Sequence, residues 1–156
     1  MTQEQKEYLQ KFWTDIEKAG DKLRNQPMPQ LKEEDFFLFK ETGNRLIYEG
    51  EYFGRRKYLT VFAILSEFGK KQADVEVLVK VMDEICTEKF WALPAHVNFE
   101  ALDEKTIDLF AAETAQSLME IVEILGDRLP GDTVDRVVRE VTDRVILPFV
   151  TSTVPY

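Results

Sequence analysis

The sequence predicts an all-α domain of stacked helical hairpins, and three observations carry that prediction. Apolar residues recur at three- and four-residue spacing through five segments, the signature of one buried helix face. The segments are joined by short connectors bearing glycine or proline, as in architectures of paired helices. The chain is 156 residues long with 44% hydrophobic and 31% charged residues, 7 glycines and 6 prolines. That length and composition suit one globular domain, 1–156, with a sizeable core.

The first helix is expected from Thr2 to about Ala19, with Tyr8, Leu9, Phe12, Trp13 and Ile16 on its apolar side. Thr2 is its N-cap, with Gln5 three residues on, and Gly20 its stop. The stretch Asn25-Gln26-Pro27-Met28-Pro29 is a connector, because two prolines remove donors and restrict their neighbours. Asp35 to Phe39 is a short apolar run compatible with one or two helical turns. Residues 41–50 read as a loop that turns at Gly43-Asn44.

Glu51 to Phe68 reads as the second helix, with Tyr52, Tyr58, Leu59, Phe62 and Leu65 on its apolar side and Gly69 ending it. Gly54 in its first turn leaves room for another segment to approach closely. Asp74 can cap a third helix running to about Thr87. Its β-branched residues do not overturn the assignment, because Val75, Leu78, Val79, Met82 and Ile85 keep helical spacing. After Asp103, a fourth helix starts at Lys105 or Thr106 and ends at Gly126. Its wide apolar face, including Ile107, Phe110, Ala111, Leu118 and Leu125, calls for two neighbours. Pro130-Gly131 is a turn, Thr133 or Asp132 caps a fifth helix, and Pro148 marks its weakening end. The tail from Phe149 to Tyr156 is apolar and unpunctuated.

The net charge of −9 argues against general binding of nucleic acid or anionic membrane, since phosphate attraction needs basic surface. Arg45, Arg55, Arg56 and Lys57 nevertheless lie close in sequence, a basic patch on which an anion could be held. No apolar run approaches the ~20 residues that span a bilayer. No basic segment followed by an apolar one opens the chain, so a native N-terminus implies a cytoplasmic protein. Cys86 alone cannot form an internal disulfide, and with one histidine it leaves no zinc set. A small buried apolar role is expected of it.

Chemistry-bearing motifs are sparse. His96 is the only imidazole, no Gly-x-Ser-x-Gly elbow exists, and no phosphate-cradling loop is present. No complete active site, metal site or cofactor site follows from the residues. The exception in character is the loop Trp91–Asn98. Trp91 offers a flat face for a sugar ring and an N–H donor, or else packs in the core. His96 offers a hydrogen bond or a proton near neutral pH, or else is a satisfied structural histidine. Arg45 offers a planar fork to a carboxylate or sulfate, or pairs with a nearby carboxylate. Tyr48, in the same loop as Arg45, either packs or contacts a ligand.

Several strings resemble the N-terminal helical region of the heparinase II/III-like polysaccharide lyases. They are Thr42-Gly43-Asn44-Arg45 with Tyr48-Glu49, then Tyr52-Phe53 with Arg55-Arg56. Next come Ile85-Cys86-x-Glu88 and Trp91-Ala92-Leu93-Pro94-Ala95-His96. Ile107 to Thr114, the Leu125-Gly126-Asp127 turn, and an Arg-bearing helix running into Ile146-Leu147-Pro148-Phe149 complete the order. The resemblance spans about Asp35 to Phe149. It implies the start of an incomplete α/α toroid in a longer enzyme that cleaves uronic-acid-containing glycans by β-elimination. The family's catalytic asparagine, tyrosine and histidine lie in segments downstream of such a region, and this chain has no Asn-Asn pair. It is therefore expected to be an inactive N-terminal portion with no catalytic residue of its own. Trp91, His96, Arg45 and Tyr48 are its candidate contacts to an anionic polysaccharide or oligosaccharide. A partial toroid leaves helix faces uncovered, so homodimerisation through them, marginal stability or missing downstream contacts is expected. The competing expectation is an all-helical protein–protein interaction module with no enzymatic role.

Overall fold

The computed structural model describes residues 1–151, and every regular element among them is helical. The helices are α1 (Gln3–Arg24), α2 (Glu33–Thr42), α3 (Leu46–Ile64), α4 (Gln72–Cys86), α5 (Leu109–Leu125), α6 (Gly131–Val141) and α7 (Leu147–Thr151). A π-helical turn, Leu65–Gly69, extends α3, and another, Thr142–Ile146, joins α6 to α7. Single 3₁₀ turns occupy Pro94–His96 and Gly126–Arg128.

Local chemistry sets the boundaries. Thr2 and Gln5 form a reciprocal capping box that starts α1. The helix then runs past Gly20, where a stop was expected. Gly20 is a contact point instead: a Cβ there would lie 2.4 Å from Leu65 Cδ1. Asn25 closes α1, and the Tyr58 hydroxyl donates to that end, lying 2.9 Å from the Leu23 carbonyl and 3.1 Å from that of Gln26. The Pro27–Pro29 connector follows, and Pro29 fills the space left by Gly54, 2.9 Å from where its Cβ would be. The apolar run at Asp35 is part of a ten-residue helix, which ends at Gly43 in the left-handed conformation glycine tolerates.

Helix α3 begins at Leu46, five residues before the expected start, because Asn44 Oδ1 accepts the Leu46 N–H at 3.0 Å and organises the first turn. The loop expected over 41–50 is thus confined to three residues. Asp74 does not cap α4: Lys71 holds that position, and Asp74 lies buried against the Arg24 guanidinium. Helix α5 starts at Leu109, capped by Asp108, while Asp103 instead accepts the Lys105 N–H in the preceding turn. Helix α6 starts at Gly131 behind Pro130. The expected features of the tail beyond Thr151 lie outside the described residues.

Helix α3 packs along α4, α4 and α5 both pack on α6, and α1 lies across α3. The main core joins Leu59, Phe62, Leu78, Met82, Ile85 and Leu118, with Val137 and Val141 from α6. A second, aromatic core gathers Phe36, Tyr48, Tyr52, Phe90 and Leu93. Among the described residues no helix is long and apolar enough to cross a membrane.

Candidate functional site

The chain leaves α4 at Cys86 and reverses through Thr87–Leu93. This reversal carries Trp91 back over α4, where its indole N–H donates to the Ile85 carbonyl at 2.9 Å. The Arg144 guanidinium lies over its ring, 5.1 Å from the centroid, and also donates to the Glu88 carbonyl at 2.7 Å. Trp91 is 2% exposed. As a stacking platform for a sugar it is therefore corrected to a core residue, since chain reversal commits both its N–H and its ring.

His96 has the opposite character. Its side chain is 41% exposed, and its Nδ1 lies 2.7 Å from Asp108 Oδ2. That carboxylate is well fixed. Oδ1 accepts the Ala111 N–H at 2.7 Å as the N-cap of α5, and Oδ2 also accepts the Leu93 N–H at 3.1 Å. An ionised carboxylate only accepts, so Nδ1 carries the hydrogen of this bond, and in the neutral tautomer with that hydrogen Nε2 keeps its lone pair. Phe110 stacks against the imidazole with centroids 5.8 Å apart and planes 14° from parallel. A hydrogen-bonded, stacked imidazole has little rotational freedom, so its open nitrogen is aimed in advance of any ligand.

Tyr48 is buried, its ring edge-on to Phe36 at 5.1 Å, and burial raises its phenol pKa. Its hydroxyl is thus a neutral group across physiological pH. Arg45 is on the surface, with its Nε 3.5 Å from the Glu49 carboxylate one turn along α3. The four candidates do not converge on one site. A row of rings lies between Tyr48 and His96, with Tyr48 6.3 Å from Tyr52, Tyr52 6.5 Å from Phe110 and Phe110 against His96.

Between them lies a polar cluster that the candidate list omits. Glu88, with a side chain 1% exposed, takes Arg55 at 3.0 Å and Arg56 at 2.5 Å on the same Oε1. Arg55 also donates to the Pro29 carbonyl at 2.8 Å, which ties the proline connector to α3. Arg56 reaches Thr114 on α5 and lies 3.7 Å over the Tyr52 ring. The Tyr52 hydroxyl is within hydrogen-bond distance of Thr114 Oγ1 and of the Trp91 carbonyl, at 3.0 and 2.9 Å. Burial alone lowers the Arg56 pKa, but the adjoining Glu88 charge more than offsets it, and the net shift is upward. The basic patch expected from Arg55-Arg56 is corrected accordingly. Two arginines on successive helical positions of a buried segment need an internal carboxylate, and Glu88 supplies it. The sequence signal was an Arg pair inside an otherwise apolar helical pattern, with a lone glutamate just beyond the next helix.

Beside this cluster a cleft of about 230 Å³ opens between the start of α2, the middle of α3 and the end of α4. Phe36, Tyr48 and Phe90 line its apolar side, with Phe36 and Phe90 stacked at 4.2 Å. Arg55, Glu84 and Glu88 line its polar side. Glu88 Oε2 and Arg55 Nε are buried without a hydrogen-bond partner. Among the described residues no group of three or more His, Cys, Asp or Glu side chains is placed to hold a metal ion. The arrangement offers one oriented imidazole at the surface and one enclosed donor–acceptor pair, with no nucleophile–base couple. No family model and no curated protein matches the chain.

Proposed function

We propose that this chain is the opening, α/α-toroid portion of a polysaccharide lyase that cleaves uronic-acid-containing glycans by β-elimination, and that it is inactive by itself. The observation that carries this reading is the ordered Phe90–Asp108 loop, whose Trp91-Ala92-Leu93-Pro94-Ala95-His96 string resembles the heparinase II/III-like lyases. Within it Asp108 holds His96 at the surface as an exposed hydrogen-bonding group. Exposed Arg45 supplies a cation for a uronate, while Trp91 and Tyr48 act by supporting the loop and the cleft behind it. The consecutive helical pairs suit the start of a toroid. Exposed apolar residues such as Ile124, Ile146 and Leu147 suit faces that further helices cover, or through which two copies pair.

The test measures the ultraviolet absorbance of the conjugated unsaturated uronate made by β-elimination. This chain and a product of the same gene extended downstream are each given heparan-, chondroitin- and alginate-type glycans. Signal from the extended protein alone is the expected result. Signal from neither overturns the lyase reading.

One observation favours a second reading, an interaction module without enzymatic activity. The first half of α1 exposes Tyr8, Leu9 and Phe12 on one side, at 70%, 49% and 44%. An amphipathic helix of this kind can lay its apolar face into a partner's groove. That reading expects tight protein association, lost on Phe12→Asp, with indifference to every glycan.

A further inference from the structure

Every residue from Met1 to Phe12 is exposed, and the buried residues of α1 are Gly20 and Leu23. The helix meets the aliphatic core only from Trp13 onward, through Trp13, Ile16 and Ala19. Its first half therefore stands clear of the domain, yet it carries an apolar stripe. Tyr8 and Phe12 lie one turn apart with Leu9 beside them, at 70%, 44% and 49% exposed. Met1 continues the stripe one heptad before Tyr8. A helical segment of this length is marginal in water without tertiary cover, so a surface laid on the stripe steadies the helix as well as burying the rings. The flank of the stripe away from Leu9 carries Glu4 and Lys11, one heptad apart. Among the described residues neither side chain has an ion pair or a hydrogen bond. An anionic membrane surface is a poor match for this face, because α1 holds five acidic and five basic residues where interfacial helices are rich in lysine and arginine.

We infer that the stripe pairs with the same stripe of a second copy of this chain, the two α1 helices lying antiparallel about a two-fold axis. Antiparallel pairing sets the charged flank against itself run backwards. Glu4 of each chain then meets Lys11 of the other, so one flank supplies both halves of two ion pairs. Tyr8 of both copies lies near the axis, and Phe12 of each covers the second copy's Met1. The contact is isologous and closes at two chains. Four apolar side chains per copy fall short of the roughly 20–30 residues a side of a standard interface, so the dimer is weak and forms in the micromolar range. The proposal rests on the face that favours the interaction-module reading and names the partner there. It involves no glycan and no bond cleavage.

The test is sedimentation velocity of the chain from about 5 to 500 µM, a range that brackets a weak dimer. The sedimentation coefficient is expected to rise reversibly with concentration. Phe12→Asp should weaken association at least about tenfold, with circular dichroism verifying that the variant is folded. Glu4→Lys and Lys11→Glu should each weaken it too, because like charges then face each other. An equimolar mixture of those two variants should associate more tightly than either alone, because each cross-pair again joins opposite charges. That rescue is specific to reversed, reciprocal contact and is not produced by a merely sticky stripe. A chain that stays monomeric over the whole range overturns the proposal. So does association that survives Phe12→Asp and is abolished by Leu147→Asp, which places the contact on α7. A mixture no tighter than its components overturns the antiparallel register. Co-sedimentation with phosphatidylcholine–phosphatidylglycerol vesicles in place of self-association assigns the stripe to a membrane and also overturns the proposal. Glycan binding decides the interaction-module reading and self-association decides this one, so the two fail separately.

Discussion

Helix α3 gives its first half to the aromatic cluster and its second half to the aliphatic core, and the two halves are built on different principles. Around Leu59 and Phe62 the neighbours are Leu78, Met82, Ile85 and Leu118, apolar side chains with no polar atom to satisfy. Around Tyr48, Tyr52 and Arg55 the apolar rings of Phe36 and Phe90 are joined by polar side chains, Arg56, Glu88 and Thr114, and most of the polar atoms there are matched to a named partner. The aliphatic half is held by burial, which is non-directional and tolerates exchange of similar shapes. The aromatic half is held by directional bonds that fail when one member is removed. The helix that stabilises the domain is thus also the one that positions the polar cluster around Glu88.

The largest expected effect breaks the polar half. Glu88→Ala strands two buried guanidinium groups, so unfolding free energy in urea should fall by about 3–5 kcal/mol. A loss under 1 kcal/mol would mean that water already shares the charge and that the two halves are alike. In the aliphatic half, Leu118→Ala, at a fully buried position, should cost about 2–5 kcal/mol through lost transfer energy and a cavity. The two substitutions differ in their remedy. Glu88→Gln should recover only part of the loss, because charge is needed there, whereas Leu118→Met should recover most of it, because only volume is needed.

A finer probe is Tyr52→Phe, which removes one oxygen and keeps the ring. The Thr114 hydroxyl and the Trp91 carbonyl then lose a partner in a buried setting, and a cost of about 1–3 kcal/mol is expected. The same change should loosen the Trp91 reversal, read as faster amide exchange at Trp91 and Ala92. Unaltered exchange there would show that the indole bond to Ile85 fixes the loop alone.

The contrast also explains how much of the molecule the sequence disclosed. The aliphatic half was legible because Leu78, Met82 and Ile85 repeat at helical spacing, which is a one-dimensional record of a buried face. The aromatic half was not, because Phe36, Tyr48 and Phe90 come from a short helix, a helix start and a loop, and no period links them. The α3 start was missed for a related reason. Asn44 begins the helix through its side chain, whereas Gly43 beside it reads as the centre of a longer loop. His96 was singled out as the only imidazole, but its partner Asp108 was invisible as such, since any of several acidic residues nearby would cap equally well on paper. Trp91 was ambiguous in sequence for a physical reason: the same indole can stack on a sugar or close a core, and only the chain reversal at Thr87 decides.

The Asp108 node is expected to be weaker than either half. Asp108→Ala removes the α5 cap and the anchor of Leu93 and His96 together, for a cost of about 0.5–2 kcal/mol. Asp108→Asn should retain the cap at Ala111 but turn an amide donor toward His96 Nδ1, so the imidazole should shift to the tautomer with the hydrogen on Nε2, visible in the nitrogen shifts of His96. Identical shifts in the two proteins would mean that Phe110 stacking, and not the carboxylate, orients the ring.

The smallest effect at neutral pH, and the clearest separation of the halves in alkali, involves Cys86. Burial, followed by the nearby Glu140 and Asp83 charges, pushes its thiol up from 9.0 to about 12. The folded chain therefore holds the thiol proton over a range in which the unfolded chain has lost it. That proton contributes stability fully below about pH 9, and the contribution is lost progressively as pH rises from there to about 12. Replacing Cys86 with alanine should leave a protein less stable at neutral pH but with a flatter decline over that window, measured as urea midpoints against pH. Tyr48, Tyr52 and Tyr58 are also raised by burial and act in the same direction at still higher pH, so Tyr52→Phe should flatten only the upper part of the curve. A thiol reagent supplies the independent check. Cys86 should react at the rate of chain opening, slowed by every condition that stabilises the aliphatic half, and prompt reaction of the folded chain at pH 8 would place Cys86 outside that half.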